Sequence, residues 1–216
     1  NQKGAHLGGS HNIMENCIFS NNGDTGLQIS VIDDKKQDTF DKRPSYNLIL
    51  NCESYNNCDP SKNNADGFGS KLTVGYGNVF EDCISHHNLD DGWDCYTKIN
   101  SGAIGEVVLE NCITYRQGYK LNADGTDSDF DATSGGNGFK LGGEGIYVKH
   151  MLKDCISFNN KAAGIDTNNN PALKVRNVVA FKNQTRNFSL YSNTGNSLTD
   201  ASGSNRDAQG RVYKFD

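Results

Sequence analysis

Between Asn88 and Tyr96 the chain reads Asn-Leu-Asp-Asp-Gly-Trp-Asp-Cys-Tyr, three carboxylates within five residues around a glycine and the sole tryptophan. Upstream, Asn64-Ala-Asp-Gly-Phe68 offers Asp66 in the same Asp-Gly setting, and downstream Gly136-Asn-Gly-Phe-Lys140 follows its glycine with a lysine. Carboxylates brought together repel strongly unless something positive lies among them. A hard cation taking about six to eight oxygen ligands is the usual solution. Calcium fits better than zinc, because no His or Cys set has the spacing of a zinc site. Asp66, Asp90, Asp91 and Asp94 are therefore candidate metal ligands. The competing reading is turn chemistry, since Asp before Gly is common in turns on a solvated face. The two readings part on whether these segments stack.

A repeat implies that they do. Asn16-Cys17-Ile18, Asn51-Cys52-Glu53, Asp82-Cys83-Ile84, Asn111-Cys112-Ile113 and Asp154-Cys155-Ile156 share one pattern, continued by Asn177-Val178-Val179, at intervals of 35, 31, 29, 43 and 23 residues. Five residues after each cysteine position stands an amide: Asn22, Asn57, Asn88, Gln117, Asn160 and Asn183. A small or polar residue followed by a large apolar one then recurs, as Gly26-Leu27, Gly67-Phe68, Gly92-Trp93, Gly138-Phe139, Gly164-Ile165 and Asn187-Phe188. The tightness of that step favours glycine. Insertions interrupt the second and fourth units, at roughly residues 58–66 and 118–137. Unequal repeats of strand, amide turn and strand, with little helical periodicity, predict an all-β solenoid, a right-handed parallel β-helix in which like stacks on like. The repeat cysteines are then small buried hydrophobes, not a disulfide framework. Cys58, in an insertion, has no place in the pattern. A two-sheet sandwich would not require such recurrence of identical inward residues.

Side chains alternate along a strand, so register turns the pattern into a site. Leu27, Phe68, Trp93, Phe139, Ile165 and Phe188 form an inward column, and Gln28, Gly69, Asp94, Lys140, Asp166 and Ser189 an outward one. The position before each step holds Thr25, Asp66, Asp91, Asn137, Ala163 and Arg186. Asp66 should then lie beside Asp91 on adjoining coils and Asp94 beside Lys140, at about 4.8 Å. Asp90, in the turn, is within reach.

The 216 residues suit one domain spanning 1–216 with a continuous core, its last stretch, 193–216, expected to be irregular. A net charge of −5 with no basic stripe argues against a nucleic-acid partner. No apolar run approaches the length of a membrane helix, and the start, Asn1-Gln-Lys-Gly, lacks the shape of a signal peptide. Neither membrane nor oligomeric partner is expected, so the chain reads as a monomer. Lys71 and Lys98, close in sequence to the Asp cluster, could hold acidic sugars, though solitary lysines are commonly just solvated. His86 and His87 precede the Asn88 turn and read as solvent-facing more readily than as a ligand pair. Asp124-Gly-Thr-Asp-Ser-Asp-Phe-Asp131 lacks the closing Glu of an EF-hand and reads as a flexible loop.

In Gly23-Asp-Thr-Gly-Leu-Gln-Ile29, Asn64-Ala-Asp-Gly-Phe68, Asp90-Asp-Gly-Trp-Asp94 and Gly136-Asn-Gly-Phe-Lys-Leu-Gly-Gly143, in that order, the chain resembles the family 9 polysaccharide lyases. These are calcium-dependent pectate and rhamnogalacturonan lyases on a right-handed parallel β-helix. The resemblance covers residues 4 to about 192. It implies Ca2+ on Asp66, Asp90, Asp91 and Asp94, and Lys140 as the catalytic base. It also implies an acidic pectic polysaccharide as substrate, cleaved by β-elimination outside the cytoplasm: secreted, periplasmic or at the cell surface. Family members carry further coils and an N-terminal cap before the first matched segment, so the chain is expected to be part of a longer lyase. Three rival readings remain open: a glycosidase using Asp90 and Asp91 as acid and base, a β-helix that binds polysaccharide without cleaving it, and a degenerate lyase that has lost its partner coils.

Overall fold

The computed structural model describes residues 2–32, 39–130 and 135–190, with the backbone of three short segments beyond them. Each coil lays down three short strands. The first coil consists of Ala5–Leu7, Ile13–Glu15 and Ile18–Ser20, and the third of Phe68–Ser70, Asn78–Glu81 and Ile84–His86. Successive coils pair in parallel to build three sheets, of seven, seven and six strands. The first sheet runs Ala5–Leu7, Leu27–Ile29, Phe68–Ser70, Trp93–Asp94, Phe139–Lys140, Ala163–Asp166, Arg186–Ser189, and it carries both columns read from the sequence. Its register pairs Trp93 with Phe68 and Phe139, and Asp94 with Gly69 and Lys140. The fold is thus the expected parallel β-helix.

The corners explain the polar repeat. Between the second and third sheets the chain turns on one residue with left-handed backbone: Asn16, Asn51, Asp82, Asn111, Asp154 and Asn177, with φ from 49° to 57°. Asn and Asp tolerate that conformation better than other side-chain-bearing residues, so they recur before the cysteine. Between the third and first sheets a second left-handed residue precedes each amide of the ladder. There Asn57 Oδ1 accepts from Asn22 N at 3.1 Å and Asn22 Nδ2 at 2.7 Å, and the pattern continues through Asn88, Gln117, Asn160 and Asn183. Buried amides in the ladder thus satisfy one another along the helix axis.

Inside, Trp93 is fully buried, its ring stacked on Phe68 at 4.9 Å and Phe139 at 5.0 Å. Cys52, Cys83, Cys112 and Cys155 are buried and unpaired, as the packing reading expects. Cys58 packs against Ala65, Leu89 and Phe130, a small second core under the insertions. The recurring glycines have a different cause from the turn expected of them. Gly26, Gly67, Gly92, Gly138 and Gly164 do not need left-handed backbone. A Cβ on Gly92 would strike Thr114, Gln117 and the carbonyl of Gly138. Close approach of coil to coil, not dihedral freedom, excludes a side chain there.

Three expectations are corrected. His86 and His87 do not face solvent but are buried. His86 stacks between Tyr55 and Tyr115, each at 4.9 Å, and shares a 2.6 Å contact with His87, whose Nε2 meets Asp127. The acidic insertion is not simply a loop: Asp127–Asp129 pairs antiparallel with Tyr119–Leu121, and that hairpin supplies the Asp127 which makes burying His87 affordable. Within 193–216, Ser197–Thr199 continues the second sheet on Lys174–Arg176, and Asn205–Arg206 pairs with Val212–Tyr213, so that segment is not wholly irregular.

Candidate active site and metal centre

The Asp-Gly steps enter the first sheet on neighbouring coils, and this brings their carboxylates together. One oxygen from each of Asp66, Asp91 and Asp94 lies within 4.8 Å of the others, and all three residues are buried. Asp91 N donates to Asp66 Oδ1 at 3.3 Å, fixing the turn of one coil to the carboxylate of the next. Thr25 Oγ1 bonds the Asn64 carbonyl and Asp66 Oδ2 from the coil before. Asn137, from the coil after, donates through its backbone and side chain to Asp91 Oδ1 at 2.9 and 2.8 Å. Asp90 lies outside the group of three. Its backbone binds the Ala65 carbonyl, and its carboxylate packs on Gly135, which has φ 75° and no room for a Cβ.

Two lysines offset part of the cluster's charge. Lys140 Nζ lies 3.0 Å from Asp91 Oδ2 and 3.6 Å from Asp94 Oδ1, with the Tyr96 ring 5.7 Å away. Lys71 Nζ lies 2.6 Å from Asp66 Oδ2 and 3.0 Å from Asp94 Oδ2. Lys98 is half-buried in the next turn and takes no part in these ion pairs. Burial lifts the Asp66 carboxyl to about 7 even with Lys71 beside it, and lifts Asp90 to about 10, helped by Asp91 and Asp66. Burial pushes Asp94 the same way, but Lys71 and Lys140 overcome it and hold its carboxyl below the usual range. Desolvation works against both ammonium groups, yet the surrounding carboxylates keep Lys71 and Lys140 well above the ordinary lysine value.

The donor set suits a hard divalent cation. The converging atoms are all carboxylate oxygens. Asp91 Oδ2 and Asp94 Oδ1 are buried without a well-formed hydrogen bond, and the charge that faces both is the Lys140 ammonium, at 3.0 and 3.6 Å. Buried acceptors in that condition are costly unless a charge faces them. Of the sequence candidates, the structure gathers Asp66, Asp91, Asp94, Lys140 and Lys71, keeps Asp90 at the edge, and leaves Lys98 apart. Sequence reading missed the contributions of Thr25 and Asn137, although their column position before the glycine step pointed to both. Tyr96 was missed too: it follows Asp94 by two, on the same outward face.

A family model described as the Pel9A-like right-handed β-helix region matches residues 1–205. Pectate lyase L of Thermoclostridium stercorarium is 51% identical over 195 residues, covering 90% of this chain and 15% of that protein. Pectate lyase L of Paenibacillus polymyxa (strain SC2) is 43% identical, over 87% of this chain and 40% of its own length. The crystal structure of pectate lyase Pel9A superposes with a TM-score of 0.72 at 32% identity, over 94% of this chain and 50% of that one. The chain thus spans half or less of the length of these relatives.

Proposed function

The chain belongs to the Pel9A-like right-handed β-helix family, and from that premise we propose that it is the catalytic β-helix of a calcium-dependent pectic polysaccharide lyase. The substrate is an acidic pectic polymer, polygalacturonate or rhamnogalacturonan I, met outside the cytoplasm. No helix among the described residues is long and apolar enough to cross a membrane. The observation that carries this reading is Lys140 Nζ set against Asp91 and Asp94, on the accessible rim of the buried carboxylate cluster.

Asp66, Asp91 and Asp94, with Asp90 at the edge, would hold the cation. Bound there, calcium supplies positive charge that stabilises the negative charge developing on the uronate as its C5 proton leaves. Lys140, as the free amine, takes that proton. The C5–H electron pair becomes the C4–C5 double bond, the C4–O4 bond breaks, and the leaving oxygen takes a proton from solvent. Lys71 and Lys98 are candidate contacts for the polymer's other carboxylates. Lys140 must lose a proton before it can act, and the carboxylates around it favour the ammonium. Activity should therefore rise from neutral into alkaline pH, and a flat profile would count against Lys140 as base.

The test is ultraviolet absorbance of the unsaturated uronide released from polygalacturonate and from rhamnogalacturonan I, with calcium, with a chelator, and with Lys140→Ala. Signal requiring both calcium and Lys140 is expected. Reducing ends without that absorbance would replace elimination with hydrolysis. Paired-acid hydrolysis finds little support in the geometry, because Asp90 is buried against Gly135 and Asp91 is pinned by Asn137. Binding without cleavage by the folded chain would leave a polysaccharide-binding β-helix.

A further inference from the structure

Lys71 is an unexpected occupant of the carboxylate cluster. Its ammonium donates to Asp66 Oδ2 at 2.6 Å and to Asp94 Oδ2 at 3.0 Å, engaging two of the three carboxylates that a divalent cation would need. The fold makes room for it. The outward column of the first sheet runs Gln28, Gly69, Asp94, Lys140, and Gly69 contributes no side chain. The stem of Lys71 runs past that gap, with Cε 3.5 Å from where a Gly69 Cβ would stand. The next residue, Leu72, has φ 67°, a left-handed conformation rare for leucine, held by bonds from Leu72 N to the Tyr96 carbonyl and from Thr73 N to the Lys71 carbonyl. The chain therefore turns sharply just where it aims Lys71 back at the acids.

An ammonium and a divalent cation seek the same oxygens and repel each other, so they compete for Asp66 and Asp94. Lysine is suited to yielding, with a flexible four-carbon stem and a head that hydrates strongly once free. We propose that Lys71 is a tethered counter-ion, which holds the carboxylates together when no divalent cation is bound and is expelled toward solvent when one binds. This rests on the reading of Asp66, Asp91 and Asp94 as calcium ligands. Its consequence is a coupling: binding the cation sets an ammonium free on the face where the carboxylates of a uronic-acid polymer would lie.

The test is amine acetylation of the chain, in calcium and in chelator, with mass-spectrometric quantification at Lys71 and at half-buried Lys98 as internal reference. Calcium binding is followed in parallel by calorimetry. Calcium should raise the Lys71 rate about tenfold while leaving Lys98 unchanged. Calcium binding without any rise at Lys71 overturns the inference and leaves the metal site standing, whereas no calcium binding overturns both. Lys71→Met gives a second readout. Removing the internal competitor should tighten calcium binding about tenfold and lower the melting temperature in chelator. Unchanged or weaker affinity overturns the proposal.

Discussion

Asp91 is the residue at which the proposed metal site and the proposed base meet. Its Oδ1 is held by Asn137, its Oδ2 faces Lys140 at 3.0 Å, and none of it is exposed. Asp91→Asn keeps the shape and removes the charge. Calorimetry should show calcium affinity falling at least about tenfold, about 1.4 kcal/mol, and the lyase signal should disappear. Asp154→Asn, a change at an outer corner where asparagine already occupies equivalent positions, should alter neither. Equal calcium affinity in the two variants would remove Asp91 from the ligand set. At this scale the sequence was legible wherever a side chain leaves a strand, because alternation decides which way it points. Asp94 and Lys140 were placed side by side on that ground alone. Lys71 was not, because a long side chain can reach off its own column, and its end point depends on a charge contributed by another coil.

At the scale of the element, the amide ladder holds the turns that carry the acids. Asn88 Oδ1 accepts from Asn57 N and Nδ2 at 3.3 and 2.7 Å, and Asn88 Nδ2 donates to the Ser54 carbonyl and Ser85 Oγ. Asn88→Ala strands those partners in a dry interior, where each unsatisfied group costs about 1–3 kcal/mol. Denaturant unfolding should register a loss of about 3 kcal/mol in total, and calcium affinity should fall as the 88–94 turn loosens. A loss below about 1 kcal/mol would mean that water replaces the amide. The ladder could be read from spacing because a solenoid repeats its hydrogen bonds with its coils. The reason for the neighbouring glycines could not, since the crowding that excludes a Cβ at Gly92 comes from Gly138 and Thr114 on other strands.

For the whole molecule, stability is a sum over stacked coils, and buried bases should make it sensitive to acid, His150 above all because Glu53 and Asp127 offset the burial of His86 and His87. His150 occupies the position taken by Asn47 and Asn78 on earlier coils of the second sheet, and its Nδ1 accepts from Val107 N at 3.1 Å. Burial alone lowers it from 6.5 to about 3. Above 6.5 neither the folded nor the unfolded chain protonates this ring, so it exacts no penalty. Between those values the unfolded chain binds a proton that the folded chain refuses, so stability drops by about 1.4 kcal/mol for each pH unit of acidification. His150→Asn should flatten that slope in unfolding measured between about pH 6.5 and 5; an unchanged slope would mean that other groups set it. By itself the sequence determined the coil, its columns and the meeting of Asp66 with Asp91, because period-two alternation and a repeating turn are local rules that stacking propagates unchanged. Only the tertiary structure decided what the insertions and long side chains do: the hairpin that pairs with His87, the packing of buried Asp90 on Gly135 outside the converging three, and the capture of Asp66 and Asp94 by Lys71. Those outcomes depend on groups distant in the chain, whose charges and volumes meet only after the coils have stacked.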